Sequence, residues 1–158
     1  MERTLVLLKP DAIQRGHIGE ILGRFEAKGL KVVGMKFRQF PLEHIQQHYE
    51  VHRERPFFDS LVAFMTSAPV LALALEGKDA VAVTRRLMGP TNCAEAPPGT
   101  IRGDLGLSFS HNLVHGSDAL ETARTELALF FDADELFDWT PVAENWVYDV
   151  EEELSPAS

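Results

Sequence analysis

The sequence predicts an α+β fold with a ferredoxin-like, split β-α-β topology, in which helices cover the faces of a mainly antiparallel sheet. Three observations indicate this class. Short apolar runs alternate with segments of helical periodicity, in the order β-α-β, further helices, then β-α-β-α. The length of 158 residues fits one domain. A content of 45% hydrophobic and 25% charged residues is typical of globular chains.

The first three elements form the predicted β-α-β unit. Thr4 to Leu8 is an apolar run of strand length, closed by Lys9 and a proline. Apolar residues between Ile18 and Phe25 recur at i, i+3, i+4 and i+7, which predicts a helix that ends at Gly29. The next residues alternate with a period of two. They predict a half-buried strand with inward-facing Val33, Met35 and Phe37.

The remaining elements follow the same logic. We expect a short helix over residues 42–49, a helix with Pro56 in its first turn, a strand from Pro69 to Leu75 and a helix from Asp79 to Met88. Residues 89–112 show no periodicity, and a long loop inside a compact domain is usually functional. Leu113 to His115 is a brief strand in which Leu113 and His115 share a face. Ser117 or Asp118 then caps a last helix.

Charge and composition exclude several functions. The net charge of −9 is concentrated at the end, because residues 126–158 carry ten acidic and no basic residues. The rest of the chain is nearly neutral, so nucleic-acid binding is not expected. No apolar stretch approaches the roughly 18 residues of a membrane span. A single cysteine, Cys93, fits a reducing compartment, which predicts a cytoplasmic protein.

The candidate chemistry lies around the long loop. His115 comes just before a helix N-terminus, which offers free N–H groups and a partial positive charge to a phosphate. A histidine beside an anion site is a candidate nucleophile or general base, although many such histidines are only structural. Residues that could join it occur elsewhere in the chain: Lys9, Arg85, Thr91, Arg102 and Asn112. Lysine and arginine clamps are what phosphoryl transfer requires.

Zinc chemistry has little support in the sequence. His44 and His48 have the i, i+4 spacing of a helical zinc pair, but they lack a nearby third ligand and are interpreted as exposed. His111 and His115 also lie four residues apart, on a loop and a strand, where a metal cage is not expected.

Several short motifs follow one another along the chain. They are KPD at 9–11, QRG at 14–16, RPFF at 55–58, PGTIRGD at 98–104, NLVHGSD at 112–118 and NWVY at 145–148. In this order they resemble the nucleoside diphosphate kinase family, whose active-site signature NLVHGSD matches, and the resemblance extends from Glu2 to Tyr148. It implies a domain over residues 1–148, followed by an acidic, flexible tail over 149–158.

The resemblance implies a specific reaction. Such enzymes move the γ-phosphate of a nucleoside triphosphate, typically ATP, to a nucleoside diphosphate by a ping-pong route. His115 would carry the phosphate, oriented by Glu126, with Lys9 and Tyr49 beside the transferred group. The resemblance further implies nucleotide-binding residues: Arg85, Thr91 and Arg102 for phosphates, Asn112 with Lys9 for the ribose, and Phe57, Leu61 and Phe109 for the base. Mg²⁺ would be held mainly by nucleotide phosphates, so no protein metal ligands are expected.

Two departures and two alternatives accompany this prediction. Cys93 replaces a proline that the family uses in subunit contacts, and Ala68 replaces a usual glycine. Both leave the proposed catalytic positions unchanged.

The resemblance implies a homo-oligomer, with a hexamer favoured over a tetramer or dimer. A catalytically silent relative that binds nucleotides or a partner, and a histidine-dependent phosphatase, remain as alternatives.

Overall fold

A four-stranded antiparallel sheet forms the centre of the fold. The computed structural model describes residues 1–149. The strands are β1 (Glu2–Leu8), β2 (Lys31–Arg38), β3 (Val70–Gly77) and β4 (Val114–Gly116), in the spatial order β2-β3-β1-β4. Every pair of neighbouring strands is antiparallel. The predicted mainly antiparallel α+β fold is therefore confirmed.

Helices cover both faces of this sheet. Within residues 1–149 they are α1 (Pro10–Gln14), α2 (Ile18–Lys28), α3 (Leu42–His48), α4 (Phe58–Met65), α5 (Ala80–Met88), α6 (Ile101–Leu105) and α7 (Leu120–Phe130). One core cluster joins one face of the sheet to α3, α4 and α7. A second cluster joins the other face to α1, α2, α5 and α6. None of the helices in this part of the chain is long and apolar enough to cross a membrane.

Strand β1 lies between the two core clusters. Its residues from Thr4 to Leu8 are fully buried, which explains the continuous apolar run in the sequence. Leu5 and Leu7 belong to the cluster of α3, α4 and α7, whereas Val6 and Leu8 belong to the other cluster. His115 pairs directly with Leu7, and cross-strand partners share a face. The imidazole therefore points toward α3 and α7.

Strand β2 differs from its predicted pattern. The pairing passes from Val32–Leu75 directly to Gly34–Ala74, so Val33 is an extra residue, a β-bulge. The bulge reverses the alternation beyond it. Met35 and Phe37 are 53% and 56% exposed, and the prediction that they face inward is wrong.

The segment over residues 89–112 is more ordered than predicted. It contains a 3₁₀ turn at Cys93–Glu95 and helix α6. Thr100 is the N-cap of α6, because its hydroxyl oxygen accepts a hydrogen bond from the N–H of Gly103 at 2.9 Å. A capped helix of one to two turns is too short to produce a periodic pattern.

Several predicted boundaries shift, three of them near the candidate functional residues. Helix α4 begins at Phe58, after Pro56. The last strand begins at Val114, because Leu113 has a φ of 72° and lies in the left-handed region. Helix α7 begins at Leu120 with Ala119 at its N-cap, so neither Ser117 nor Asp118 caps it. The predicted tail from residue 149 onward lies almost wholly outside the described residues, and the domain boundary stays a prediction.

Candidate active site

His115 and Glu126 form a short, half-buried pair. His115 Nε2 lies 2.7 Å from Glu126 Oε2, and the two side chains are 24% and 10% exposed. Glu126 reaches the histidine because α7 crosses the face of the sheet toward which His115 points. A carboxylate on Nε2 holds the proton on that nitrogen and leaves the lone pair on Nδ1. This arrangement is the one that the predicted orienting role of Glu126 requires.

Glu126 is ionised despite its burial. Burial alone would raise its pKa, but the hydrogen bond that His115 donates, together with the electrostatic contribution of the neighbouring imidazoles, outweighs it. The hydroxyl of Ser117, itself 1% exposed, also favours the charged carboxylate. Together these groups hold the pKa of Glu126 below its ordinary value. A charged acceptor is thus present beside the histidine at neutral pH.

His48 is part of this cluster, contrary to the prediction that it is exposed. Its side chain is 1% exposed, and its Nδ1 lies 3.3 Å from Glu126 Oε2. Its ring packs edge-on against the ring of His115, with centroids 4.7 Å apart. Burial, followed by the charge of His115, lowers the pKa of His48 to about 3, so this imidazole is neutral. His44 is also partly buried, against Phe130.

Tyr49 completes the wall on the side of α3. Tyr49 is 7% exposed, and its ring centroid lies 6.4 Å from the ring centroid of His115. Burial raises the pKa of its hydroxyl, so the phenol keeps its proton. Within residues 1–149 that hydroxyl has no hydrogen-bond partner. It is available to donate to a bound anion.

Lys9 and Asn112 also line the cleft and contact each other. Lys9 Nζ donates to Asn112 Oδ1 at 2.8 Å, and the amide nitrogen of Asn112 donates to the carbonyl of Thr91 at 3.2 Å. Lys9 is 8% exposed. Burial, with the nearby charge of Arg102, lowers the pKa of Lys9 to about 8. A buried cation of this kind gains most from a phosphate brought to it.

Arg102 holds the chain segments around the cleft together. Its guanidinium donates to three backbone carbonyls, those of Gly89 at 2.9 Å, Asn112 at 3.1 Å and Val114 at 2.6 Å. These carbonyls lie on both ends of the long connection before β4. Arg102 therefore has a structural role that the sequence did not indicate, in addition to its place in the wall of the cleft.

The left-handed residue Leu113 is fixed by the start of α1. Asp11 Oδ2 accepts the N–H of Leu113 at 3.0 Å, and the N–H of Lys9 donates to the carbonyl of Leu113 at 2.8 Å. These bonds set the direction in which β4 enters the sheet. They therefore place Lys9 and His115 relative to each other.

Most predicted site residues line one cleft of about 500 Å³. Its wall includes Lys9, Tyr49, Arg85, Thr91, Arg102, Asn112, His115 and Glu126. Phe57, Leu61 and Phe109 are outside this wall. Phe57 and Phe109 are 47% and 64% exposed, and Phe57 contacts His52, which does line the cleft. The aromatic residues predicted for the base thus lie apart from the residues that line the cleft.

The cleft holds one candidate set of metal ligands in the described part of the chain. His48, His115 and Glu126 each present a ligand atom, all within 4.8 Å of one another. This set does not fit Mg²⁺, which prefers oxygen ligands and keeps several waters. The expectation that the protein itself supplies no magnesium cage stays a prediction.

Sequence reasoning missed His48, Asp11 and Ser117 as contributors to the site. A signal for His48 was present, because it lies three residues after the buried Ile45 and next to Tyr49, on the inner face of α3. Asp11 and Ser117 lie inside quoted motifs. Their contacts depend on the meeting of α1 with β4 and of β4 with α7, which no local pattern indicates.

The cleft brings a histidine together with lysine and arginine side chains, which is the kind of site that phosphotransferases use. A family model described as nucleoside diphosphate kinase matches residues 2–136. A curated nucleoside diphosphate kinase from Synechococcus elongatus is 54% identical over 149 residues, which are 94% of this chain and 100% of the relative. One from Archaeoglobus fulgidus is 52% identical over 94% of this chain and 99% of its own length.

A solved structure supports the same assignment. The halophilic nucleoside diphosphate kinase from Halobacterium salinarum, in complex with CDP, superposes with a TM-score of 0.92 at 53% identity. The match covers 94% of this chain and 99% of the other. The chain belongs to the nucleoside diphosphate kinase family, whose members transfer phosphate between nucleotides and generally use a divalent metal.

The carbonyl contacts of Arg102 predict an unequal response of two cleft arginines to the same substitution. Arg102→Lys should lower the free energy of unfolding by about 2–4 kcal/mol, because one ammonium cannot serve three carbonyls. Arg85→Lys is the control, since Arg85 makes one long bond of 3.4 Å to the carbonyl of Gly116, and it should change stability by less than about 0.5 kcal/mol. Urea unfolding at equal protomer concentration measures both. Equal losses would show that Arg102 does not hold these segments together.

Proposed function

We propose that the chain transfers the γ-phosphate of a nucleoside triphosphate, typically ATP, to a nucleoside diphosphate through a phosphohistidine on His115. The observation that carries this mechanism is the 2.7 Å contact between His115 Nε2 and Glu126 Oε2. With its proton held on Nε2, the neutral ring has a lone pair on Nδ1. That nitrogen is the nucleophile in the proposal.

In the first half-reaction, Nδ1 attacks the γ-phosphorus. A P–N bond forms and the bond from phosphorus to the bridging β–γ oxygen breaks, so the nucleoside diphosphate leaves with that electron pair. The developing imidazolium keeps its proton on Nε2 and donates it in the hydrogen bond to Glu126, whose negative charge stabilises the cation. The second half-reaction runs the same steps in reverse with a different diphosphate, which makes the route ping-pong.

The other cleft residues bind and orient the phosphates. Lys9 and the hydroxyl of Tyr49 donate to the transferred phosphoryl group, while Arg85, Thr91 and Arg102 bind the phosphates behind it. Asn112, fixed between Lys9 and Thr91, binds the ribose with Lys9. Mg²⁺ held mainly by the nucleotide phosphates would supply charge neutralisation there.

The base is bound outside the phosphate-binding wall, between Phe57 and Leu61, with Phe109 nearby. An exposed aromatic face stacks on any base, so the proposal includes broad base acceptance. The Halobacterium salinarum relative was solved with CDP, a nucleoside diphosphate, which supports a nucleotide as the ligand of the corresponding cleft here.

Labelling of the protein tests the mechanism. Wild type incubated with Mg²⁺ and γ-labelled ATP should carry a label that is stable in alkali and lost in acid, and GDP should remove it as GTP. His115→Ala should carry none, since it lacks the nucleophile. A matched His111→Ala variant, altered on the exposed loop nearby, should label normally.

Two results would contradict this proposal in different ways. Release of free phosphate without a diphosphate acceptor would favour a histidine-dependent phosphatase. A folded wild-type protein that takes no label would favour a silent nucleotide-binding or partner-binding relative. The complete set of cleft cations and the oriented His115 favour the kinase over both.

The lowered pKa of Lys9 predicts the alkaline limb of the pH profile. As pH rises through about 8, the unphosphorylated enzyme loses the Lys9 charge, and kcat/KM for the triphosphate, which reacts with this form, should fall. Lys9→Arg keeps a charge at these pH values, so its profile should lack this limb even if its overall rate is lower. An unchanged limb in Lys9→Arg would assign the titration to another group.

The lowered pKa of Lys9 also affects stability. Burial of the charged form is unfavourable to folding, so the contribution of Lys9 to the free energy of unfolding rises with pH between about 8 and 10.5.

We also propose a homo-hexamer in the cytoplasm. The assembly rests on the resemblance of the NWVY segment at residues 145–148 to family members that form hexamers, and the location rests on a single, buried Cys93 that has no internal disulfide partner. Sedimentation of the full chain at micromolar protein should give the mass of six protomers. A stable dimer there would overturn the hexamer and would identify Cys93, in place of proline, as the residue to revert first.

A further inference from the structure

His48 is a buried polar side chain that the proposed reaction does not use. Its side chain is 1% exposed, and neither ring nitrogen makes a hydrogen bond within the described residues. Buried polar groups without partners are rare in native structures. His48 nevertheless lies in the wall of the cleft, against the ring of His115 and beside Glu126. Its position therefore suggests a partner that is not part of the protein.

Three potential ligand atoms converge at this place. Glu126 Oε2 lies 2.7 Å from His115 Nε2 and 3.3 Å from His48 Nδ1, and the ligand atoms of the three residues lie within 4.8 Å of one another. The two rings stand almost perpendicular, at 85°. Two imidazoles and one carboxylate are the donor set of open, three-ligand zinc sites, in which water or substrate takes the fourth position.

We propose that His48, His115 and Glu126 form a binding site for Zn²⁺, or a late first-row ion of similar chemistry, and that its occupancy stops phosphoryl transfer. The site is distinct from the magnesium that accompanies the nucleotide, because imidazole nitrogens select zinc-like ions over Mg²⁺. Lys9, Arg85 and Arg102 line the same cleft and oppose a divalent cation. The affinity is therefore lower than that of a structural zinc site.

The inhibition follows from the tautomers of His115, and this part rests on the proposed function. A metal bound to Nε2 takes the place of the proton that this nitrogen donates to Glu126 in the hydrogen bond. A neutral, metal-bound imidazole carries its proton on the other nitrogen, Nδ1. The lone pair that attacks phosphorus is then absent, although the phosphate-binding wall is intact. Zinc should lower kcat and leave the KM for nucleotide nearly unchanged.

Spectroscopy on untagged full-length protein tests the site without relying on activity. Co²⁺, used as the probe, should give the intense visible bands of a tetrahedral complex at one ion per chain. Imidazole ¹⁵N NMR with Zn²⁺ should show His115 changing from the Nε2–H to the Nδ1–H form and the Nδ1 of His48 becoming a metal ligand. Because the unmodified chain reports on His48 directly, this measurement does not depend on a folded variant.

Two matched variants assign the ligands. His48→Gln should weaken Co²⁺ binding at least about tenfold and make phosphoryl transfer resistant to Zn²⁺. His44→Gln changes the same residue type one turn earlier on α3, outside the ligand set, and should bind and be inhibited like wild type. A chelator should restore wild-type activity.

The possible outcomes separate the two proposals. Equal Co²⁺ binding by wild type and His48→Gln, or unchanged ¹⁵N signals of both histidines with saturating Zn²⁺, would overturn the metal site. A His48-dependent tetrahedral complex in a protein that never forms phosphohistidine would uphold the site and overturn the proposed function. Zinc bound at the site with full activity retained would overturn the inhibition alone.

Discussion

The hydrogen bond between His115 and Glu126 is the interaction on which the site depends. A carboxylate with 10% of its side chain exposed is costly unless a partner satisfies it, and here the partner is also the candidate nucleophile. The fold supplies this geometry through the register of β4 against β1, which turns His115 toward α7. Stabilisation of the buried charge and selection of the histidine tautomer thus come from the same contact.

A second constraint fixes this pair relative to the cations. The chain enters β4 through Leu113 in the left-handed region, where a leucine is strained unless its surroundings hold it. Asp11 and the backbone of Lys9 bind both polar groups of Leu113, and Arg102 binds the carbonyls on either side. These contacts fix Lys9 relative to His115, and one of them comes from Asp11, to which the proposed function gives no contact with substrate.

The sequence predicted elements that local chemistry determines and missed those that depend on distant contacts. The helix of residues 18–28 and its end at Gly29 follow from periodicity and from a left-handed φ of 102° that glycine accepts readily. The bulge at Val33 could not be predicted, because it depends on the pairing of β2 with β3. For the site, the motifs identified His115 and its cations. The burial of His48 depends on how α3 packs against α7, so an i, i+4 histidine pair suggested an exposed surface instead.

The position of His48 is compatible with two kinds of chemistry, phosphoryl transfer and the binding of a zinc-like ion. A neutral imidazole beside Glu126 leaves the carboxylate charge to His115, which favours nucleophilic attack. The same closeness brings two imidazoles and a carboxylate within coordination distance, which favours a zinc-like ion. The surrounding cations, Lys9 and Arg102 among them, disfavour that ion and favour phosphate. In the two proposals the cations of the cleft therefore act in two ways, because they would bind the substrate phosphates and would also weaken the competing metal.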